Sequence, residues 1–129
     1  MLGCVRECFR HDIVGSDLTR YDFDRLVEIL SGGHCHIKLS GPYRIAVNQP
    51  LSSVEWIGRA LVEARVDRLI WGSDWPHLPD GQRDTGEVLN LLADWAPRAA
   101  DREQILVTTP ERLFYSDHAR AGDMREQGA

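Results

Sequence analysis

The stretch that most constrains this chain is Leu69-Ile70-Trp71-Gly72-Ser73-Asp74-Trp75-Pro76-His77. A short apolar run stops at Gly-Ser-Asp, and an aromatic, a proline and a histidine follow. The pattern reads as a buried strand that delivers a carboxylate to its C-terminal tip. Proline has no N–H to donate, so a central strand cannot continue past it. A carboxylate in that position is costly to bury unless it is paired, metal-bound or catalytic.

The rest of the chain can be placed around that tip. Phe23, Leu26, Val27 and Leu30 fall at i, i+3, i+4 and i+7 and predict a helix over 22–31. Asp22 is the expected N-cap and Gly32-Gly33 the stop. Residues 34–40 read as a strand with Cys35, Ile37 and Leu39 on one face and His36, Lys38 and Ser40 on the other. Gly41-Pro42 ends it, and the following loop carries Tyr43 and Arg44. A second helix is expected over 52–65, opened by a Ser52/Glu55 capping box and striped by Val54, Ile57, Leu61 and Val62. Strand 68–73 and a Pro/Asp/Gly-rich loop to Arg83 come next. A third helix over 85–95 starts at Asp84 and Glu87, carries Val88, Leu91, Leu92 and Trp95, and ends before Pro97. Asp101 to Leu106 reads as a short helix. Thr109 then caps one more turn, with Pro110 at its first position. Residues 1–15 hold a weak strand signal at Cys4–Phe9, interrupted by Arg6 and Glu7, and from Ser116 the tail is polar and aperiodic.

Strands alternating with amphipathic helices predict an α/β fold with a parallel sheet. Ligands of such sheets sit at the C-terminal ends of the strands. Arg44 and Asp74 each follow such an end, and His11 would follow an earlier one. The steps from His11 to Arg44 and from Arg44 to Asp74 are each about 30 residues, one βα unit. That spacing sets the three side chains on one rim.

A net charge of −5 argues against a phosphate-backbone or anionic-membrane surface. No apolar run approaches the ~18 residues that span a bilayer. Three cysteines (Cys4, Cys8 and Cys35) without a C-x-x-C pair suggest reduced thiols and a cytoplasmic setting. Neither nucleic acid nor a membrane is the expected partner.

Trp71-Gly72-Ser73-Asp74-Trp75-Pro76-His77, preceded by Ile37-Lys38-Leu39-Ser40-Gly41, resembles the amidohydrolase-related family of the amidohydrolase superfamily. With Gly41-Pro42-Tyr43-Arg44 the likeness is to the 2-pyrone-4,6-dicarboxylate lactonase branch. Ile105-Leu106-Val107 and Thr109-Pro110-Glu111-Arg112-Leu113-Phe114 are similar to the family's C-terminal segment, with Thr109 where an asparagine is usual. The resemblance covers roughly residues 20–115. It implies a hydrolase acting on a small carboxylated lactone or related cyclic ester, built as a (β/α)8 TIM barrel with outer helices. A full barrel takes about 250 residues. This chain matches only the C-terminal portion, about three βα units, so 1–115 is expected to be a partial barrel domain and 116–129 a flexible tail.

The resemblance further implies roles. Asp74 would be the last strand's catalytic aspartate, handling the proton of the attacking water. Arg44 would contact a substrate carboxylate, with Tyr43 and His77 also at the substrate. His11 would match a family histidine that polarises the carbonyl, although Arg10 and Asp12-Ile13-Val14 depart from the family's pattern there. The lactonase branch works without metal by the same resemblance, whereas decarboxylase relatives use the last-strand aspartate as a ligand. A divalent metal (zinc or manganese) therefore stays open, and no metal ligand is assigned.

Plainer readings stand beside these. Asp74 alone could be a turn aspartate, and most loop arginines are solvated. His77 three residues on suits loop packing as well as a site. His34 and His36 form a His-x-His pair but lie at the strand's N-terminal end, away from the mouth. Lys38 shares parity with Ser40, toward the interior of a complete barrel. Cys4 and Cys8 lack partners for a tetrahedral zinc site. Trp56, Trp75 and Trp95 read as core or loop packing. The competing function is an inactive barrel fragment whose open edges and apolar interior lead it to oligomerise or to pair with a complementary N-terminal half.

Overall fold

The computed structural model describes residues 20–78 and 81–115, together with the backbone of a first strand, β1 (Leu2–Cys4). The central unit is β2 (Ile37–Leu39), α2 (Glu55–Arg65) and β3 (Leu69–Trp71), a parallel strand pair joined through a helix. Ile37 pairs with Leu69, Lys38 with Ile70 and Leu39 with Trp71, and Gly72 N–H donates to Leu39 O at 3.1 Å just past the strand. A parallel pair needs such a crossover, which is what the alternating pattern implies.

β1 corrects one expectation. It lies beside β2 but runs antiparallel, with Leu2 opposite Leu39 and Cys4 opposite Ile37. Side-chain periodicity reports which face a residue takes and not which way its strand runs, so a weak three-residue strand carried no directional signal. The rest of the expected Cys4–Phe9 strand, His11 and the tail from Ser116 lie outside the described residues.

One face of β2 and β3 is buried under helices. Ile37, Leu39 and Leu69 pack with Phe23 and Leu30 of α1 (Arg20–Ser31), with Ile57 and Leu61 of α2, and with Leu92 and Trp95 of α3 (Thr85–Trp95). Gly58 of α2 is the contact point for α3. A Cβ there would stand 2.4 Å from Trp95 Cγ, so only glycine lets the ring this close. Trp56 is half exposed and meets Phe23 edge-on at 4.9 Å.

Helix starts follow the sequence only in part. Asp84 caps α3, its carboxylate accepting from Gly86 N–H at 2.7 Å. α1 begins at Arg20, so Asp22 sits inside the first turn, where its charge still suits the helix dipole. The Ser52/Glu55 capping box does not form. A 3-10 turn over Leu51–Val54 precedes α2 and places Ser52 before the helix rather than at its cap.

The C-terminal helices are continuous where a break is expected. α4 (Ala99–Glu103) runs through a π turn (Gln104–Thr108) into α5 (Thr109–Phe114). Thr109 N–H donates to Gln104 O, five residues back. Pro110 has no N–H to give and its ring crowds the preceding turn, and the wider π turn takes up both defects. Thr109 is thus no cap. It is fully buried, its hydroxyl takes a hydrogen bond from Gln104 Nε2 at 3.0 Å and faces Asp67 O at 3.4 Å. Arg112 donates to the same carbonyl at 2.6 Å, tying this helix to the turn that enters β3.

Candidate active site

Two strand ends build the site. After β2, Gly41 takes a left-handed conformation (φ 55°) and starts a 3-10 turn, Pro42–Arg44, which brings Tyr43 and Arg44 back over the sheet end. After β3, the chain reaches Asp74, which also sits in the left-handed region (φ 59°), as does His77 (φ 61°). For a non-glycine residue that region costs about 1–3 kcal/mol and persists only where surroundings enforce it. Here a tight turn enforces it, with His77 N–H donating to Asp74 O at 2.8 Å and Trp75 N–H to Ser73 Oγ at 3.2 Å.

Asp74, Tyr43 and Arg44 meet. The Tyr43 hydroxyl donates to Asp74 Oδ2 at 2.6 Å, and Arg44 Nε donates to the same oxygen at 2.8 Å. The two side chains of the ion pair are 19% (Asp74) and 27% (Arg44) exposed, so the pair is shielded yet open to one side. Burial pushes the Asp74 carboxyl up, but the bonds from Tyr43 and Arg44, with the Arg44 charge, outweigh it and hold the group below its ordinary range. Burial, together with the bond to Asp74 and its negative charge, drives the Tyr43 phenol up to about 12. The hydrogen bond to Asp74 raises Arg44 further. The result at neutral pH is an ionised carboxylate, a protonated phenol and a guanidinium within one cluster.

Behind Tyr43 lies His77, only 2% exposed. Its Nδ1 is 3.2 Å from the Tyr43 oxygen and its Nε2 is 2.9 Å from Thr85 Oγ1. The Arg83 guanidinium sits 4.7 Å over the Tyr43 ring. Neither Thr85 nor Arg83 stands out in the sequence. Thr85 reads as an ordinary first residue of α3, and Arg83 as a loop cation.

The other sequence candidates fall elsewhere. Lys38 lies with its aliphatic stem against Gly72, 3.1 Å from where a Cβ would stand, so Gly72 makes room for it. His36 is buried near Arg68, whose Nη1 lies 3.4 Å from His36 Nε2; burial, with the nearby arginines, lowers its pKa. Trp95 belongs to the core, but Trp75, next to Asp74 in the turn after β3, is 76% exposed rather than packed. Among the described residues no three His, Cys, Asp or Glu side chains converge as a metal site, and Asp74 already faces a guanidinium. The described side chains around Asp74, a phenol, a guanidinium and a buried imidazole, do not by themselves form a divalent-ion site.

Residues 10–115 match the model of a family described as Amidohydrolase. A 4-sulfomuconolactone hydrolase of Hydrogenophaga intermedia is 43% identical over 98 residues, which is 72% of this chain and 32% of the relative. A 2-pyrone-4,6-dicarboxylate hydrolase of Comamonas testosteroni is 33% identical over 62% of this chain and 30% of its own length. The crystal structure of an Agrobacterium tumefaciens protein in its apo form aligns with a TM-score of 0.63 at 27% identity, over 77% of this chain and 36% of that one. The chain thus spans about a third of the relatives it matches, and its mixed α/β unit accords with part of a larger barrel.

Proposed function

Because this chain belongs to the amidohydrolase family, we propose that it carries the rim of a lactone hydrolase acting on a small carboxylated cyclic ester, with Asp74 as the base. The observation that carries this reading is the Tyr43–Asp74–Arg44 cluster at the ends of two parallel strands. The names of the relatives support the lactone as the substrate class.

In this mechanism Asp74 accepts a proton from water as the water oxygen bonds to the lactone carbonyl carbon. The ring C–O bond then breaks, the leaving oxygen takes the proton back from Asp74, and an open-chain hydroxy acid results. A carboxylate held by two donors is a weak base in the free protein. A substrate carboxylate that draws Arg44 toward itself removes one donor from Asp74 and strengthens the base when the substrate is in place. Arg44 suits that exchange because its planar fork offers several N–H groups to carboxylates.

A pair of substrates tests this. The purified chain is given a carboxylated lactone such as 2-pyrone-4,6-dicarboxylate, and separately its neutral ester. The expected result is hydrolysis of the acid and a kcat/KM for the neutral ester lower by about 10- to 100-fold, the value of one charge-assisted pair. Equal rates on both, or hydrolysis of neither, would contradict the reading.

The share of length favours a second reading, since the chain covers only 32% of the sulfomuconolactone hydrolase. In it, residues 20–115 form a self-associating or partner-binding piece that further barrel segments complete. Light scattering on the purified chain tests it, and a stable monomer would count against it.

A further inference from the structure

The hydroxyl of Tyr43 has one proton, and its direction can be assigned. Asp74 is ionised and can only accept, so at 2.6 Å the proton lies toward Asp74 Oδ2. The Tyr43 oxygen is then left as an acceptor, and two groups face it, the Arg44 guanidinium and, at 3.2 Å, His77 Nδ1. That nitrogen must carry a hydrogen. In the neutral ring Nε2 is bare and accepts from the Thr85 hydroxyl at 2.9 Å. Every bond in the row then points one way, from Thr85 through His77 and Tyr43 to Asp74.

We propose that His77 is a positioning residue, which holds the Tyr43 hydroxyl with its proton aimed at Asp74 while Thr85 fixes the tautomer of the His77 ring. Burial of His77 keeps water from replacing either partner. The left-handed backbone at His77 is part of the same device, because the turn that produces it brings the ring under Tyr43. Charged groups around the row are Asp74, Arg44 and Arg83, the last two lying over or beside the Tyr43 ring. The catalytic meaning of this row rests on Asp74 being the base, whereas its hydrogen-bond direction does not.

The test uses the full chain without substrate. Nitrogen-15 NMR of the histidines reads which ring nitrogen of His77 is protonated, and carbon-13 NMR follows the Asp74 carboxyl through pH. The expected result is a proton on Nδ1, with the Asp74 midpoint rising in His77→Leu and in Tyr43→Phe. Since His77 acts through Tyr43, the double variant rises no further than Tyr43→Phe alone. His77→Asn, which can keep a donor near the Nδ1 position, stays close to the parent. Should His77→Leu fail to fold, Thr85→Val carries the test, because it frees the ring to change tautomer and the Asp74 midpoint rises. A His77 proton on Nε2 alone, additive shifts in the double variant, a His77→Asn midpoint as high as that of His77→Leu, or an unmoved midpoint in Thr85→Val would each overturn the proposal. None of these readouts needs hydrolysis. A chain that meets them without cleaving lactone contradicts the functional reading alone, and one that cleaves lactone with the opposite tautomer contradicts only the positioning role.

Discussion

At Asp74, two donors converge on one carboxylate oxygen, and the pH dependence of stability follows from their preference for the charged form. The folded group has the lower pKa, so between its folded and unfolded values the unfolded chain binds more protons. Its contribution is present above the ordinary value of 3.8 and is lost as pH falls through the folded one. Urea unfolding at neutral pH and near pH 3 should therefore show a larger acid loss in the parent than in Asp74→Asn; equal losses would contradict the cluster. Tyr43 has the opposite sign. Its phenol is raised to about 12, so its contribution is full below the ordinary value of 10 and fades as pH climbs through about 12. Ultraviolet absorbance should show the Tyr43 phenol ionising only as pH climbs through about 12, and Asp74→Asn should bring it down.

The elements show which features of the sequence speak for themselves. The two parallel strands and three helices are legible because burial on one face leaves a periodic trace, as in Phe23, Leu30, Ile57, Leu61 and Leu92. Asp74 and Arg44 are legible as strand-end residues for the same reason. Thr85 and Arg83 are not, because their roles come from a loop that folds them back onto Tyr43, and no spacing encodes that return. The continuous α4–α5 run is hidden by Pro110, which reads as a helix start until the π turn is seen. Gly58 is another silent position, with nothing in its α2 pattern to mark the Trp95 ring against it. Gly58→Ala should cost about 1–3 kcal/mol by overpacking the α2–α3 contact. Denaturant midpoints measure it, and a change within about 0.5 kcal/mol, the range of a neutral surface substitution, would show that the contact is looser than described.

For the whole molecule, the chain supplies one stretch of a barrel rim, with its carboxylate, phenol and guanidinium already assembled at two strand ends. Among the described residues no helix is long and apolar enough to cross a membrane. Trp75 and Leu78, in the turn that follows Asp74, are exposed and leave apolar surface there. The proposed hydrolysis depends on Asp74 handling the proton of the attacking water. The most direct measurement is the rate of hydrolysis of a carboxylated lactone by the parent chain and by Asp74→Asn, with circular dichroism to verify that both are folded. Loss of a positioned base should lower kcat by about 100-fold or more while KM changes little. A folded Asp74→Asn that hydrolyses the lactone within about twofold of the parent rate would contradict the account.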